Sequence, residues 1–265
     1  MRIQVNGTTL NVPRQSEISH PPSTINLVFL HYFGGSSRAW CAVIERLAGD
    51  YHCVAPDLRG FGDSAATETG YTMSGMADDM AELIGSLRLK RYALVGHSMG
   101  GKIALALAAR QPPGLESLVL LSPSPPTPEP MDESERIRLL DAHGDRAAAE
   151  ETVRRIVVQP LSEQAHEGVI EDNLRSSRTA WRAWLERGSR EDISALMPNV
   201  NVPVLVGVGA ADPVLPAALL EREVVRRIAG GGARLAVVPG KVGHLLPLEA
   251  PQATAELIQE SLSGR

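Results

Sequence analysis

Gly96-His97-Ser98-Met99-Gly100 follows the apolar run Tyr92-Ala93-Leu94-Val95 and opens into Gly101-Lys102-Ile103-Ala104-Leu105-Ala106-Leu107-Ala108-Ala109. An apolar run of strand length, a serine between glycines and a long alanine- and leucine-rich run read as strand, sharp turn and buried helix. In this G-x-S-x-G arrangement the serine sits on a strained strand-to-helix turn, a nucleophile elbow. Glycines are needed at 96 and 100 for clearance, and Gly101 lets the helix pack closely. The expected consequence is a Ser98 hydroxyl lifted clear of the sheet, above a helix N-terminus whose N–H groups face any developing oxyanion.

The same alternation extends to both sides. Upstream, residues 2–12 surround Asn6-Gly7, a hairpin signal, and are expected to form a two-stranded entry to the sheet. A polar connection over 13–24 follows. The apolar run 25–30 then delivers the loop His31-Tyr32-Phe33-Gly34-Gly35, and Ser36 or Ser37 can cap a helix with Trp40, Val43, Ile44 and Leu47 on one face. A strand at 51–56, the loop Asp57-Leu58-Arg59-Gly60-Phe61-Gly62-Asp63-Ser64 and a helix carrying Met80, Leu83, Ile84 and Leu87 lead to the elbow. Downstream lies a buried strand at 115–121. Successive strand–helix steps predict a mostly parallel sheet with helices on both faces.

At Pro123 the texture changes. Prolines at 123, 125, 126, 128 and 130 form a stiff tether, and residues 131–193 hold 14 acidic residues and 10 arginines. More than a third of that segment is charged, against 22% of the whole chain, so it carries more solvated surface than the sheet core. Apolar stripes remain at helical spacing, among them Val153, Ile156 and Val157, and Trp181, Trp184 and Leu185. We read residues 124–193 as a helical cap inserted after the sixth strand, and 1–123 with 194–265 as the α/β core. Strand, helix, strand and helix resume at 202–208, 216–228, 234–238 and from about 251.

Composition narrows the function classes. With 265 residues and 43% hydrophobic content the chain can bury a large core as one domain. A net charge of −5 with no basic run argues against a nucleic-acid surface. No apolar run reaches membrane-span length and the N-terminal residues lack a signal-peptide core, so the expected location is the cytoplasm. Cys41 and Cys53 read as ordinary thiols, and Asn6-Gly7-Thr8 as a turn rather than a glycosylation site. Nothing in the residues speaks to oligomeric state.

A serine hydroxyl is a weak nucleophile near neutral pH and needs a base, which in turn needs an orienting acid. Parallel strands place their carboxyl ends on one rim, so both partners are sought there. Of the seven histidines, His244 follows the strand at 234–238 and the loop Pro239-Gly240-Lys241-Val242-Gly243; His20, His52, His143 and His166 are assigned surface or packing roles. Asp212, in Gly209-Ala210-Ala211-Asp212-Pro213, completes the order Ser, Asp, His, with initiation of a turn before proline as its competing use. The preceding strand end, Ser122-Pro123-Ser124-Pro125-Pro126, offers no carboxylate before Glu129. Asp57 is a rival whose loop we read as shaping the fold. The two oxyanion donors are expected at the N–H of Met99 and within the loop 32–34, at Phe33.

With these residues assembled, the chain resembles the α/β-hydrolase family over nearly its whole length. The resemblance rests on residues 31–35, 56–64 and 96–101, on Asp212, and on Gly243-His244. It implies Ser98, Asp212 and His244 as a triad, Phe33 and Met99 as the oxyanion hole, and a lid over the site. The most similar branches are small esterases, C–C bond hydrolases, lactonases and cofactor-free haloperoxidase- or perhydrolase-like enzymes. One residue departs from the pattern: Tyr32 stands where the family usually has glycine, and a bulky residue with restricted φ would tilt the oxyanion loop. Ser98 sets aside the aspartate-nucleophile dehalogenases and epoxide hydrolases of the fold.

The expected activity is cleavage of a carboxylic ester or lactone through an acyl-enzyme. The same triad would serve C–C bond hydrolysis or peracid formation, and a receptor or inactive binder could retain the pocket. The expected partner is a small, apolar substrate, with no metal or organic cofactor, because the chain supplies nucleophile, base and oxyanion donors. Tyr32, Trp181 and Trp184 are candidate pocket residues, although tryptophans at this spacing are more often core of the cap itself.

Overall fold

The computed structural model describes residues 1–13, 25–228 and 232–263, so most of the polar connection at 13–24, with His20, lies outside the described residues. The hairpin β1 (Arg2–Val5) and β2 (Thr8–Asn11) turns at Asn6 and Gly7, both at positive φ. Contrary to expectation, it does not enter the main sheet: the two strands pair only with each other as a separate sheet. The reason lies in the free edge of β2. The carbonyls of Thr9 and Asn11 accept from the N–H groups of Ala65 and Asp57, so a loop occupies the edge that a strand would need.

The main sheet comprises β3 (Asn26–Leu30), β4 (His52–Val54), β5 (Tyr92–His97), β6 (Leu115–Leu121), β7 (Val204–Gly209) and β8 (Ala233–Val238), all parallel, in the order β4-β3-β5-β6-β7-β8. The helices in chain order are α1 (Cys41–Leu47), α2 (Met73–Ser86) and α3 (Met99–Ala108), then α4 (Glu133–Asp141), α5 (Arg146–Ile156), α6 (Glu163–Arg175) and α7 (Arg178–Glu186). After β7 come α8 (Ala217–Glu223), α9 (Leu246–Glu249) and α10 (Pro251–Ser263).

Strand periodicity builds two cores. Val28, Leu94, Leu118, Leu120 and Val206 face α2, α3 and α8. Their sequence neighbours Leu27, Phe29, Ala93, Val119 and Leu205 face α1 and α10. Each such buried Val, Leu or Phe side chain stabilises the fold by roughly 1.5–3 kcal/mol relative to exposure, which explains why the strands read as nearly continuous apolar runs. The helices α4 to α7 all fall between β6 and β7. α7 joins the larger core through Trp181, Trp184 and Leu185, whereas α5 and α6 meet Tyr32 and Leu245 in a smaller third cluster.

Topology places the site. From β3 the chain runs outward to the edge strand β4 and returns to β5 on the other side of β3. The connections therefore diverge at the carboxyl ends of β3 and β5 and leave a crevice there, the usual ligand position in open α/β sheets. Into it project the loop after Leu30 and the turn at Ser98. Ser98 has φ 50° and ψ −116°, a conformation costing on the order of 1–3 kcal/mol for a non-glycine residue. The flanking glycines are needed for close approach: a Cβ on Gly96 would lie 2.6 Å from Gly100 O, and one on Gly100 2.7 Å from His31 O.

Both cysteines are free thiols, Cys41 exposed and Cys53 buried. Among the described residues no helix is long and apolar enough to cross a membrane. For Gly100→Ala the added methyl must displace the backbone of the first loop, and we expect a loss of about 1–3 kcal/mol, read as a lower midpoint in denaturant melts. An unchanged midpoint would contradict this account of the turn.

Candidate active site

Three strand ends bring together three residues distant in sequence. Ser98 ends the β5 turn, Asp212 lies just beyond β7, and His244 follows β8. His244 Nε2 lies 3.1 Å from Ser98 Oγ, and His244 Nδ1 lies 3.0 Å from Asp212 Oδ2. With the carboxylate accepting at Nδ1–H, the imidazole presents its Nε2 lone pair to the serine hydroxyl. The second Asp212 oxygen accepts from the N–H groups of Val214 and Leu215, at 2.8 and 3.0 Å, which fixes the carboxylate plane. All three side chains are buried, at 8% exposure or less.

Electrostatics assigns the protonation states. Burial alone would raise the Asp212 carboxyl, but the adjacent His244 and the hydrogen bonds it receives outweigh this and hold it at about 2. Burial would lower His244, yet the charge and hydrogen bond of Asp212, with smaller contributions from Glu129 and Glu249, leave it raised above 6.5. His97 shows the opposite balance. Desolvation and the neighbouring His244 push it down to about 3, and its Nε2 donates to the His244 carbonyl at 2.8 Å.

The loop after β3 stands opposite the elbow. Among the described residues neither the Phe33 N–H nor the Met99 N–H has a hydrogen-bond acceptor. Within this loop the positive φ, 77°, falls at Gly34 and not at Tyr32. His31 holds this conformation: its Nδ1 donates to Tyr32 O at 2.8 Å, and its Nε2 accepts from Leu58 N at 3.0 Å. Such a role depends on which backbone groups meet the ring, and the sequence carries no signal for it. Asp57 does not contact His244. Its carboxylate accepts from Ser37 N, Asn11 Nδ2 and Asp63 N, tying its own loop to the end of β2 and to the turn at Ser37.

Ser98 and His244 open into a cavity of about 340 Å³. Its apolar wall comes from the α4–α7 segment, through Leu139, Val153, Ile156, Val169, Trp181 and Trp184. The two tryptophans join the larger core of the sheet rather than a separate core within the α4–α7 segment. Each is buried there and each also lines the cavity, with the tilted Phe33 ring centred 4.3 Å from the Trp181 ring and 6.2 Å from the Trp184 ring. The Trp181 indole N–H is satisfied by Leu139 O at 2.8 Å. Tyr32 lines this cavity and a second one of about 360 Å³ on its other side. Glu129, remote from the strand end in sequence, lines the active cavity while accepting from Ser124 Oγ at 2.6 Å. Among the described residues no group of three His, Cys, Asp or Glu side chains is placed to hold a metal ion.

Comparison with known proteins agrees with this architecture. The structure is similar to an esterase from Exiguobacterium antarcticum, with 25% identity, a TM-score of 0.87 and 99% of each chain covered. It is also similar to a thermophilic esterase from Thermogutta terrifontis, with 27% identity, a TM-score of 0.82 and coverage of 99% of this chain and 98% of that one. In sequence, a Caulobacter sp. (strain K31) protein provisionally named carbamate hydrolase RutD is 30% identical over 252 residues, covering 87% of this chain and 88% of its own. The model of the alpha/beta hydrolase family matches residues 27–257, and the chain belongs to that family.

Proposed function

We propose that this protein is a serine hydrolase that cleaves a carboxylic ester or lactone with an apolar acyl group. The observation that carries this reading is the hydrogen-bonded series Asp212, His244, Ser98 ending in a largely apolar cavity. His244 Nε2 takes the Ser98 proton as Oγ attacks the carbonyl carbon. The carbonyl electron pair moves onto oxygen, where the N–H groups of Met99 and Phe33 receive it. The imidazolium, stabilised by Asp212, then protonates the departing alkoxide. Water repeats the sequence on the acyl-enzyme and releases the acid.

Residues 124–193 act in this reading as a cap over a core of 1–123 and 194–265. The cap supplies most of the apolar wall, so its side chains set substrate preference while the core performs the chemistry. The likeness to two esterases supports the ester class. The name of the Caulobacter relative adds carbamates as a second substrate class for the same alkoxide attack, worth assaying beside esters.

We expect Ser98→Ala to lower p-nitrophenyl ester turnover by on the order of a thousandfold or more in a protein that still folds, and retained turnover would contradict the assignment. The base works only when neutral. Since His244 is raised above 6.5 and Asp212 stays ionised down to about 2, kcat/KM should climb with pH through one step whose midpoint lies above 6.5. A midpoint below that value would mean the imidazole lacks its carboxylate partner. For Trp184→Ala we expect a shifted acyl-length preference with the Ser98 chemistry intact, and an identical length profile would remove Trp184 from the specificity wall.

A further inference from the structure

Glu249 is 4% exposed and takes no part in the proton transfers above, yet its carboxylate collects four backbone donors. Oε1 accepts from Leu245 N at 3.0 Å, and Oε2 accepts from Gly243 N at 2.9 Å, so the two residues flanking His244 hang on one side chain. Oε2 also accepts from Val158 N at 2.9 Å and Gln159 N at 2.8 Å, at the exit of α5. A direct link runs alongside: His244 N donates to Ile156 O at 3.0 Å. Gly243 makes room for this junction, since a Cβ there would lie 2.8 Å from Ile156 O and 2.9 Å from Glu249 Oε1.

The other end of this connection faces the substrate cavity. Ala149, Val153 and Ile156 of α5 line it, and α5 rests with α6 on the small cluster around Tyr32 rather than in the main core. The last turn of α5 thus touches the cavity on one side and the backbone of His244 on the other.

We propose, resting on the hydrolase reading, that Glu249 is a positioning residue that couples the exit of α5 to His244. The base then reaches its working geometry when α5 and α6 are seated over the cavity. An ionised carboxylate suits four donors because it offers about four lone-pair positions. A glutamine that keeps its oxygen at the three-donor site turns its NH₂ toward Leu245 N–H and breaks the link on one side of His244.

The imidazole of His244 is faced by Asp212 beyond β7, Glu129 of the tether, Glu249 of α9, and the neutral ring of His97 on β5 at 5.4 Å. Removing the Glu249 charge leaves Asp212 as the main raising influence. Glu249→Gln should lower kcat by on the order of tenfold to a hundredfold with KM little changed, and move the acid limb of the profile to lower pH. In hydrogen exchange, the amides of 157–159 and of 243–245 should lose protection together. Val158→Pro tests the junction from the cap side should Glu249→Gln fail to fold. It deletes one donor, and Val157, at φ −95° and ψ 131°, already has the conformation a following proline requires. It should lower kcat in the same direction and raise exchange at 243–245.

Wild-type kcat and acid limb in Glu249→Gln would overturn the proposal, as would increased exchange at 243–245 with 157–159 unchanged. The exchange measurement needs no turnover. A wild-type protein that hydrolyses no ester, with joint loss of protection still seen in Glu249→Gln, would count against the hydrolase reading alone.

Discussion

Ser98 is held at φ 50° because a helix must start where a parallel strand ends, without room for a side chain at Gly96 or Gly100. Most of the site follows from that constraint. The turn leaves the N–H of Met99 without a hydrogen-bond acceptor among the described residues. It also brings Gly100 against the carbonyls at the end of β3, which fixes the facing loop. The strain is offset by the packing of β5 and α3, every residue of which is buried. Ser98, the start of α3 and the loop after β3 are thus positioned by one close contact between backbones.

Three buried histidines around this contact show how partner identity decides charge. His31 donates to a backbone carbonyl and accepts from a backbone N–H, so it stays neutral and burial lowers it. His97 donates to a carbonyl with its other nitrogen unpartnered, and it too is lowered. His244 alone of the three meets a carboxylate, and it alone is raised. Two rings thus act as fixed dipoles that hold the backbone of the loop after β3 and of the His244 loop. The third is poised to exchange a proton.

The elbow, the parallel sheet and the candidate residues were legible because each leaves a local trace: glycines around a serine, apolar runs of strand length, and Asp212 and His244 just past two such runs. Membership of the hairpin in the sheet was not legible, since it turned on whether Thr9 and Asn11 would meet a strand or the 57–65 loop. Trp181 and Trp184 announced an apolar face but not that one face would serve both core and cavity. His31, His97 and Glu249 were silent for a different reason. Their partners are backbone groups, which any residue supplies, so no side-chain pattern encodes them.

The central claim is that Ser98 is activated through His244 by Asp212 and is reachable from the cavity. Intact-mass measurement after reaction with a fluorophosphonate probe tests it most directly, on wild type and on Ser98→Ala. The account predicts one adduct per wild-type chain and none on Ser98→Ala. A folded wild-type protein that takes no adduct, or an adduct that persists in Ser98→Ala, would contradict it.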